Sequence, residues 1–387
     1  MQTTPKTPKT VSASPPLNFQ NQKAWKSQKP GIFQQLEKEI YGKLPKTHNA
    51  KLIHTRSIPN DFINTNIEEI TLRAQYFVRE GQPTKQSSQN IEFKVVLITP
   101  SQPAARTPVI MMESFCPNHN VIPVAGLSKP ENVSFSCDGT PLMHLVAGFF
   151  FGRYIKTPPI QNIIDRGYAL AVTFPSDVFP DMASAASIYK YAPNPDNRWG
   201  AIGAWAWQFS LLSNHLDTDP RFSHTIAYGH SRYGKSALLA AAYDETIDSV
   251  IAHQSGTGGA SLSIDKPGET VELITKNYPH WFTPGYSEDN LSLDQHHLLA
   301  LLAPRPILLG NAKRDVWSDP EGAFRAARAA TPIYKLFGSN GLSQNKLNVF
   351  HPEADISFWI RRGTHGVVKE DWPAFLEFLD AHFKDKH

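Results

Sequence analysis

The sequence predicts an α/β protein in which a mostly parallel sheet is covered by helices on both faces. Runs such as 93–99, 108–114 and 168–174 are short and apolar throughout, as buried strands are. Amphipathic stretches of helical length separate most of the later runs. Strands without a polar face must be covered on both sides, so this alternation is typical of a parallel sheet between two helical layers.

The elements follow one another from the N-terminus. Residues 1–30 hold five prolines, five lysines and no acidic residue, which predicts a disordered leader or linker. A helix is predicted over 31–41, and one α/β domain over 31–387, without internal repeats. The predicted strands are 70–78, 93–99, 108–114, 168–174, 224–229, 249–255, 306–311 and 357–362. The predicted later helices are 198–216, 234–245, 322–338 and 372–383.

Composition excludes several classes of protein. The 38 Lys and Arg against 35 Asp and Glu give a net charge of +3, too small to indicate nucleic acid or an anionic membrane as a partner. The longest apolar run, 142–151, is about half the length of a bilayer span. We therefore expect a soluble, globular monomer. The first residues lack the apolar core of a signal peptide, so the chain is either cytoplasmic or an exported protein whose signal was removed.

Cysteine and histidine usage gives no indication of a metal or cofactor. Cys116 and Cys137 are the two cysteines, too few for a zinc site of four cysteines, and they either form one bridge or stay free. The run Asp294-Gln295-His296-His297 lacks the spacing of a metal motif, and we interpret it as a capped helix start. No cofactor and no metal are expected.

The segment TIAYGHSRYGKSALLAAAY (225–243) reads as a strand, a sharp turn and a helix. Its turn, residues 229–236, satisfies the phosphate-binding P-loop pattern G-x-x-x-x-G-K-[ST]. It also nearly fits the nucleophile elbow G-x-S-x-G with Ser231 at the apex, although Tyr233 replaces the second glycine and Gly234 follows one position late.

Context favours the elbow. About four strands precede the turn, whereas a P-loop usually follows the first strand, and no later strand ends in a Walker B aspartate. The elbow requires an acid and then a histidine downstream. Asp315 follows strand 306–311, and His365 follows strand 357–362 in the loop RRGTHGV. The sequence thus predicts an α/β-hydrolase fold with Ser231 as nucleophile, His365 as base and Asp315 as acid, and the backbone N–H of Arg232 in the oxyanion hole.

Several motifs between about 195 and 380 resemble the glucuronoyl esterases, carbohydrate esterase family fifteen. They are GHSRYGKSALLAAA, SGTGGAS, GETVELI, PHWF, LDQHHLLALLAPRP, DVWSDP and RRGTHGV. Some members place a glutamate where this chain has Gln254, which leaves Asp315 as the triad acid and Asp319 as its alternative. The resemblance also implies that the guanidinium of Arg232 faces the oxyanion.

The resemblance further implies a substrate, an ester of glucuronic or 4-O-methylglucuronic acid. Lys235 and Glu269 would bind its hydroxyl groups and Trp317 its apolar face. Two departures stand against this assignment: LSIDKP (262–267) replaces a block with an arginine pair in bacterial relatives, and Ser261 replaces a fungal glutamine. The alternatives are an acetyl or general carboxyl esterase on the same triad, a non-catalytic carbohydrate-binding protein and, remotely, a P-loop nucleotide-binding protein.

Overall fold

The computed structural model describes residues 16–46, 49–79, 86–103, 105–130, 137, 148, 151–184, 199–264 and 266–384. Its strands are β1 Ala50–Ser57, β2 Thr65–Arg79, β3 Gln86–Pro100, β4 Thr107–Glu113, β5 Ala169–Thr173, β6 Phe222–His230, β7 Ser249–His253, β8 Ile307–Ala312 and β9 Ile356–Arg361. Its helices are α1 Gln22–Leu36, α2 Asn118–Val121, α3 Ile160–Asp165, α4 Ala201–Asp217, α5 Arg232–Tyr243, α6 Val271–Asn277, α7 Gln295–Leu301, α8 Pro320–Leu336 and α9 Asp371–Phe383.

All nine of these strands pair in one sheet, in the order β1-β2-β3-β5-β4-β6-β7-β8-β9. Six neighbouring strands are parallel to one another, namely β5, β4, β6, β7, β8 and β9. Strands β1, β2 and β3 are antiparallel to their neighbours. The predicted mostly parallel sheet is therefore confirmed. Its consequence is that the carboxyl ends of β6, β7, β8 and β9 lie side by side at one edge.

Two apolar cores cover the two faces of the sheet. Along β4, Val109 and Met111 belong to one core, whereas Ile110 and Met112 belong to the other, as the two-residue period of a strand requires. Helices α1, α4, α5, α7 and α8 pack on the first face, and α3 and α9 pack on the second. The predicted helical cover of both faces is confirmed.

The chain is ordered earlier than predicted. Residues 1–15 lie outside the described part, but α1 begins at Gln22, where the Asn21 side chain accepts a hydrogen bond from the backbone of Ala24. The predicted leader is therefore wrong over 22–30. Its prolines and lysines indicated disorder, but Trp25 is fully buried and packs against the first core. Pro30 lies inside this helix, on its exposed side.

Strand β1 is a further element that the prediction missed. Most of its side chains are exposed, so it shows no alternation of apolar and polar residues. It forms the edge of the sheet, paired with β2 on one side only among the described strands. The short helices α3 and α6 lie between predicted elements.

Cys116 and Cys137 form a disulfide bridge, which decides between the two alternatives that the sequence left open. The bridge joins two cysteines that are 21 positions apart in the sequence, after β4. At α7, Asp294 is the N-cap and forms a capping box with His297, so the predicted capped helix start is confirmed. Within the described residues, no helix is both long and apolar enough to cross a bilayer.

Candidate active site

The turn between β6 and α5 places Ser231 in a strained backbone conformation. Its φ and ψ are 57° and −121°, a region that residues other than glycine rarely adopt. The Ser231 N–H donates to the carbonyl of His253 on the next strand, at 2.8 Å. Gly229 allows the turn, since a Cβ there would lie 1.9 Å from the carbonyl oxygen of Tyr233. This is the sharp strand-to-helix turn that exposes a nucleophile in hydrolases.

His365 lies beside this turn and binds Asp315. Its Nδ1 is 2.8 Å from Asp315 Oδ2, and its ring centroid is 4.7 Å from that of His230, the residue before Ser231. Because a carboxylate only accepts, Nδ1 carries the proton of this hydrogen bond. The neutral ring therefore keeps Nε2 as an acceptor, the state that a general base needs.

The carboxylate of Asp315 is held by more than His365. Ser318 donates to it twice, from Oγ at 2.6 Å and from the backbone N–H at 3.2 Å. Burial by itself would raise the pKa of Asp315, but these hydrogen bonds and the charge of His365 outweigh it and leave the pKa below its ordinary value. Asp315 is thus held as an anion beside His365.

Asp319, the alternative acid, has different partners. It is the N-cap of α8, where its Oδ1 accepts from the Gly322 N–H at 2.9 Å. Its Oδ2 accepts from Ser261 Oγ at 2.9 Å and lies 3.9 Å from Lys266 Nζ. These contacts give Asp319 a structural place at the helix start.

Gln254 contacts the histidine loop. Its Oε1 accepts from the Gly366 N–H at 2.8 Å, and its Nε2 donates to the Thr364 carbonyl at 3.3 Å. The neutral amide therefore clamps the residues on either side of His365 through their backbone. A carboxylate at this position would only accept and would lose the second contact.

Two buried histidines lie beneath His365. His230 Nδ1 and His253 Nδ1 are 3.2 Å apart, so one of them donates to the other. Burial lowers the pKa of His230 well below its usual value and that of His253 to about 4. Both rings are thus neutral near pH 7 and add no positive charge beneath His365.

Arg232, the first residue of α5, forms an ion pair with Asp181 through Nη1. Its guanidinium lies 5.0 Å from the ring centroid of Trp281 and 5.5 Å from that of Phe115. Sequence reasoning missed Asp181, which follows β5 by eight residues and belongs to no motif. The only available signal was its position after the carboxyl end of a strand beside β4.

The other predicted binding residues lie near the turn. Lys235 Nζ donates to the carbonyls of Ser255 and Thr257 at 2.6 and 2.7 Å, and it lies 3.9 Å from Glu269. Burial lowers the pKa of Lys235 to about 8, despite the opposing charge of Glu269. Trp317 lies two residues after Asp315, and 46% of the residue is exposed, an unusual fraction for a tryptophan.

These contacts contradict the P-loop hypothesis. Lys235 is directed to backbone carbonyls, and the Ser236 hydroxyl donates to the buried carboxylate of Glu113 at 2.6 Å. The lysine that would reach phosphates and the hydroxyl that would bind magnesium are therefore both engaged within the protein.

The sequence is similar to those of known carbohydrate esterases. Residues 183–338 match the family profile described as "Glucuronyl esterase, fungi". The chain is similar to carbohydrate esterase MZ0003 from an unknown prokaryotic organism, with 32% identity over 93% of this chain and 85% of that protein. It is 31% identical to 4-O-methyl-glucuronoyl methylesterase 1 of Wolfiporia cocos, over 55% of this chain and 57% of the fungal one.

Solved structures give the same relationship. A glucuronoyl esterase from Solibacter usitatus superposes with a TM-score of 0.77 and 28% identity, covering 94% of both chains. A promiscuous esterase of carbohydrate esterase family fifteen from a marine bacterial metagenome superposes with a TM-score of 0.76 and 29% identity, over 94% of this chain and 93% of the other. The α/β-hydrolase fold predicted from the sequence is thereby confirmed.

Proposed function

Since the chain belongs to the glucuronoyl esterases, carbohydrate esterase family fifteen, we propose that it hydrolyses esters of glucuronic or 4-O-methylglucuronic acid through Ser231, His365 and Asp315. The contact that carries this proposal is the 2.8 Å hydrogen bond between His365 Nδ1 and Asp315, formed beside the strained turn of Ser231. Acid, histidine and serine follow strands β8, β9 and β6, as in other hydrolases of this fold.

The proposed reaction has two steps. Ser231 Oγ attacks the ester carbonyl while His365 Nε2 takes its proton, and the tetrahedral oxyanion faces the Arg232 backbone N–H and guanidinium. The C–O bond to the alcohol then breaks, and His365 returns the proton to the leaving oxygen. In the second step, water attacks the acyl-serine with His365 again as base, which releases the uronic acid and restores Ser231.

The sugar would bind on the side of Lys235, Glu269 and Trp317. Lys235 gives two of its three N–H groups to backbone carbonyls, which leaves one for a sugar hydroxyl. Glu269 lies beside it as an acceptor, and the exposed ring of Trp317 offers a flat apolar surface. Such contacts distant from the ester lower the barrier only for substrates that carry the matching groups.

A second candidate is an acetyl or general carboxyl esterase on the same triad. It is favoured by the two departures from related sequences, which are Ser261 and the block LSIDKP (262–267) that contains Lys266. Ser261 donates to Asp319, and the buried Lys266 lies 3.9 Å from the same carboxylate. Both side chains thus contact Asp319, the helix cap.

The test compares two esters with wild type, Lys235→Met and Lys276→Met, in which an exposed lysine is the control. We expect Lys235→Met to lower kcat/KM on benzyl glucuronate roughly ten- to hundredfold, the worth of one charged hydrogen bond, and to change p-nitrophenyl acetate hydrolysis little. Lys276→Met should match wild type on both esters. Equal losses on the two esters would remove the uronate assignment and favour the second candidate.

A further inference from the structure

The carboxylate of Asp181 lies at the centre of a buried polar cluster next to the nucleophile turn. Only 4% of its side chain is exposed. Oδ1 accepts from His280 Nε2 and from Trp281 Nε1, both at 2.7 Å, and Oδ2 accepts from Arg232 Nη1. Two donors on one oxygen fix the carboxylate, so its other oxygen presents a fixed acceptor to the guanidinium.

Arg232 depends on this acceptor for its direction. The rings of Phe115, Tyr278 and Trp281 lie 5.0 to 5.9 Å from its guanidinium, and such contacts attract a cation without fixing its rotation. Among the described residues, Arg232 Nε has no hydrogen-bond partner. The ion pair with Asp181 is therefore the directional contact of this side chain, and 26% of the side chain remains exposed toward solvent.

We propose that Asp181 is a positioning residue that holds the Arg232 guanidinium toward the developing oxyanion. An arginine side chain loses considerable rotamer freedom when it is held in one place. A donor stabilises a transition state best when its orientation is already set before charge develops. Asp181 would supply that orientation through Nη1 and leave the other N–H groups for the oxyanion. The proposal rests on the proposed function in assuming ester hydrolysis by Ser231 with the Arg232 guanidinium facing the oxyanion.

A structural role for Asp181 makes a different prediction. If the carboxylate only braced His280 and Trp281, its loss would act without any need for Arg232. A double-mutant cycle separates the two roles, because a residue that acts through Arg232 has nothing to position once the guanidinium is absent.

The experiment measures kcat and KM on benzyl glucuronate and p-nitrophenyl acetate for wild type, Asp181→Asn, Arg232→Met and the double variant. We expect Asp181→Asn to lower kcat ten- to hundredfold on both esters with KM within about threefold, because an oxyanion forms only in the transition state. In the Arg232→Met background the same change should alter kcat less than twofold. The matched control is Asp219→Asn, which removes a carboxylate that forms an ion pair with the exposed Arg221. This variant should match wild type.

Three results would overturn the proposal. They are an unchanged kcat in Asp181→Asn, a rise in KM alone, or a loss of kcat that is equal with Arg232 present and in the Arg232→Met variant. If Asp181→Asn does not fold by circular dichroism, the cycle is run with Asp181→Glu, for which we expect a smaller loss of kcat. Unfolding of both variants would show that Asp181 serves stability and would also overturn the proposal. If wild type cleaves the acetate ester alone, the uronate assignment fails while the cycle on acetate still tests Asp181.

Discussion

At the scale of single residues, two carboxylates four positions apart have separate partners. Asp315 binds His365, whereas Asp319 caps α8. We predict that Asp315→Asn lowers kcat on the order of 10³- to 10⁴-fold, because the amide favours the wrong tautomer of the histidine. Asp319→Asn should stay close to wild type, since asparagine also caps helices and tolerates a left-handed backbone. Steady-state kinetics of the two variants checks this, and a large loss in Asp319→Asn with a mild one in Asp315→Asn would contradict the assignment.

Lys235 gives the site a predicted pH dependence. Burial lowers its pKa to about 8, so it carries its proton below that pH and loses it above. If the ammonium binds a sugar hydroxyl, kcat/KM on benzyl glucuronate should fall as pH rises through 8 and level off at roughly the ten- to hundredfold loss expected for Lys235→Met. Lys235→Met should lack this alkaline limb, and wild type on p-nitrophenyl acetate should lack it too. A limb shared by both esters would show that another group titrates.

Local pattern predicts some of these residues and not others. Ser231 and His365 each lie within three residues of two glycines, in turns or loops after apolar strands, which marks them in the sequence. Asp181 has no such mark, because its importance comes from His280, Trp281 and Arg232, which are distant in sequence and meet only in the folded chain. Side-chain networks of this kind are set by tertiary packing.

At the scale of elements, the turn from β6 into α5 requires a glycine, which has no side chain, at position 229. A Cβ at Gly229 would lie 1.9 Å from the carbonyl oxygen of Tyr233, a backbone atom that cannot yield. Gly229→Ala should therefore cost about 3 kcal/mol or more of unfolding free energy, in the upper range for overpacking, and reduce activity by distorting the Ser231 turn. Urea denaturation measures it, with Gly285→Ala as the control because its Cβ would meet no atom within 4 Å. Equal stability of the two variants would contradict this account of the turn.

Elements with strong periodicity were predicted well, and those without it were missed. Helix α8 begins within two residues of its predicted start, and it has one buried side and one exposed side. The first part of α1, residues 22–30, was predicted as a leader because composition weighs every residue equally, whereas one buried side chain, Trp25, anchors the segment to the core. Strand β1 is held by backbone pairing with β2, which leaves little trace in its side chains.

At the scale of the whole molecule, the bridge between Cys116 and Cys137 links two positions of the chain that are 21 residues apart and follow β4. Closing a loop of this length removes freedom mainly from the unfolded chain and is worth about 3 kcal/mol. We predict that Cys116→Ala combined with Cys137→Ala lowers the midpoint of thermal unfolding, as does a reductant added to wild type. The reductant should leave the double variant unchanged. A wild type that is indifferent to reductant would contradict a stabilising role for the bridge.

The order of the sheet explains how distant parts of the chain form one site. Strands β6, β7, β8 and β9 are parallel neighbours, and each is followed by one residue of the site: Ser231, Gln254, Asp315 and His365 respectively. The order of strands and loops along the sequence was sufficient to predict this convergence. The contacts that orient these residues, such as the clamp of Gln254 on the His365 loop, were not predictable from that order.

The central claim is that Ser231 and His365 act as one unit in ester hydrolysis. The most direct measurement is kcat on benzyl glucuronate for wild type, Ser231→Ala, His365→Ala and the double variant, with folding checked by circular dichroism. We predict that each single variant loses roughly 10⁴- to 10⁶-fold and that the double variant loses little more, because removing either member already disables the unit. Losses that multiply in the double variant, or a Ser231→Ala protein that keeps its activity, would contradict the account.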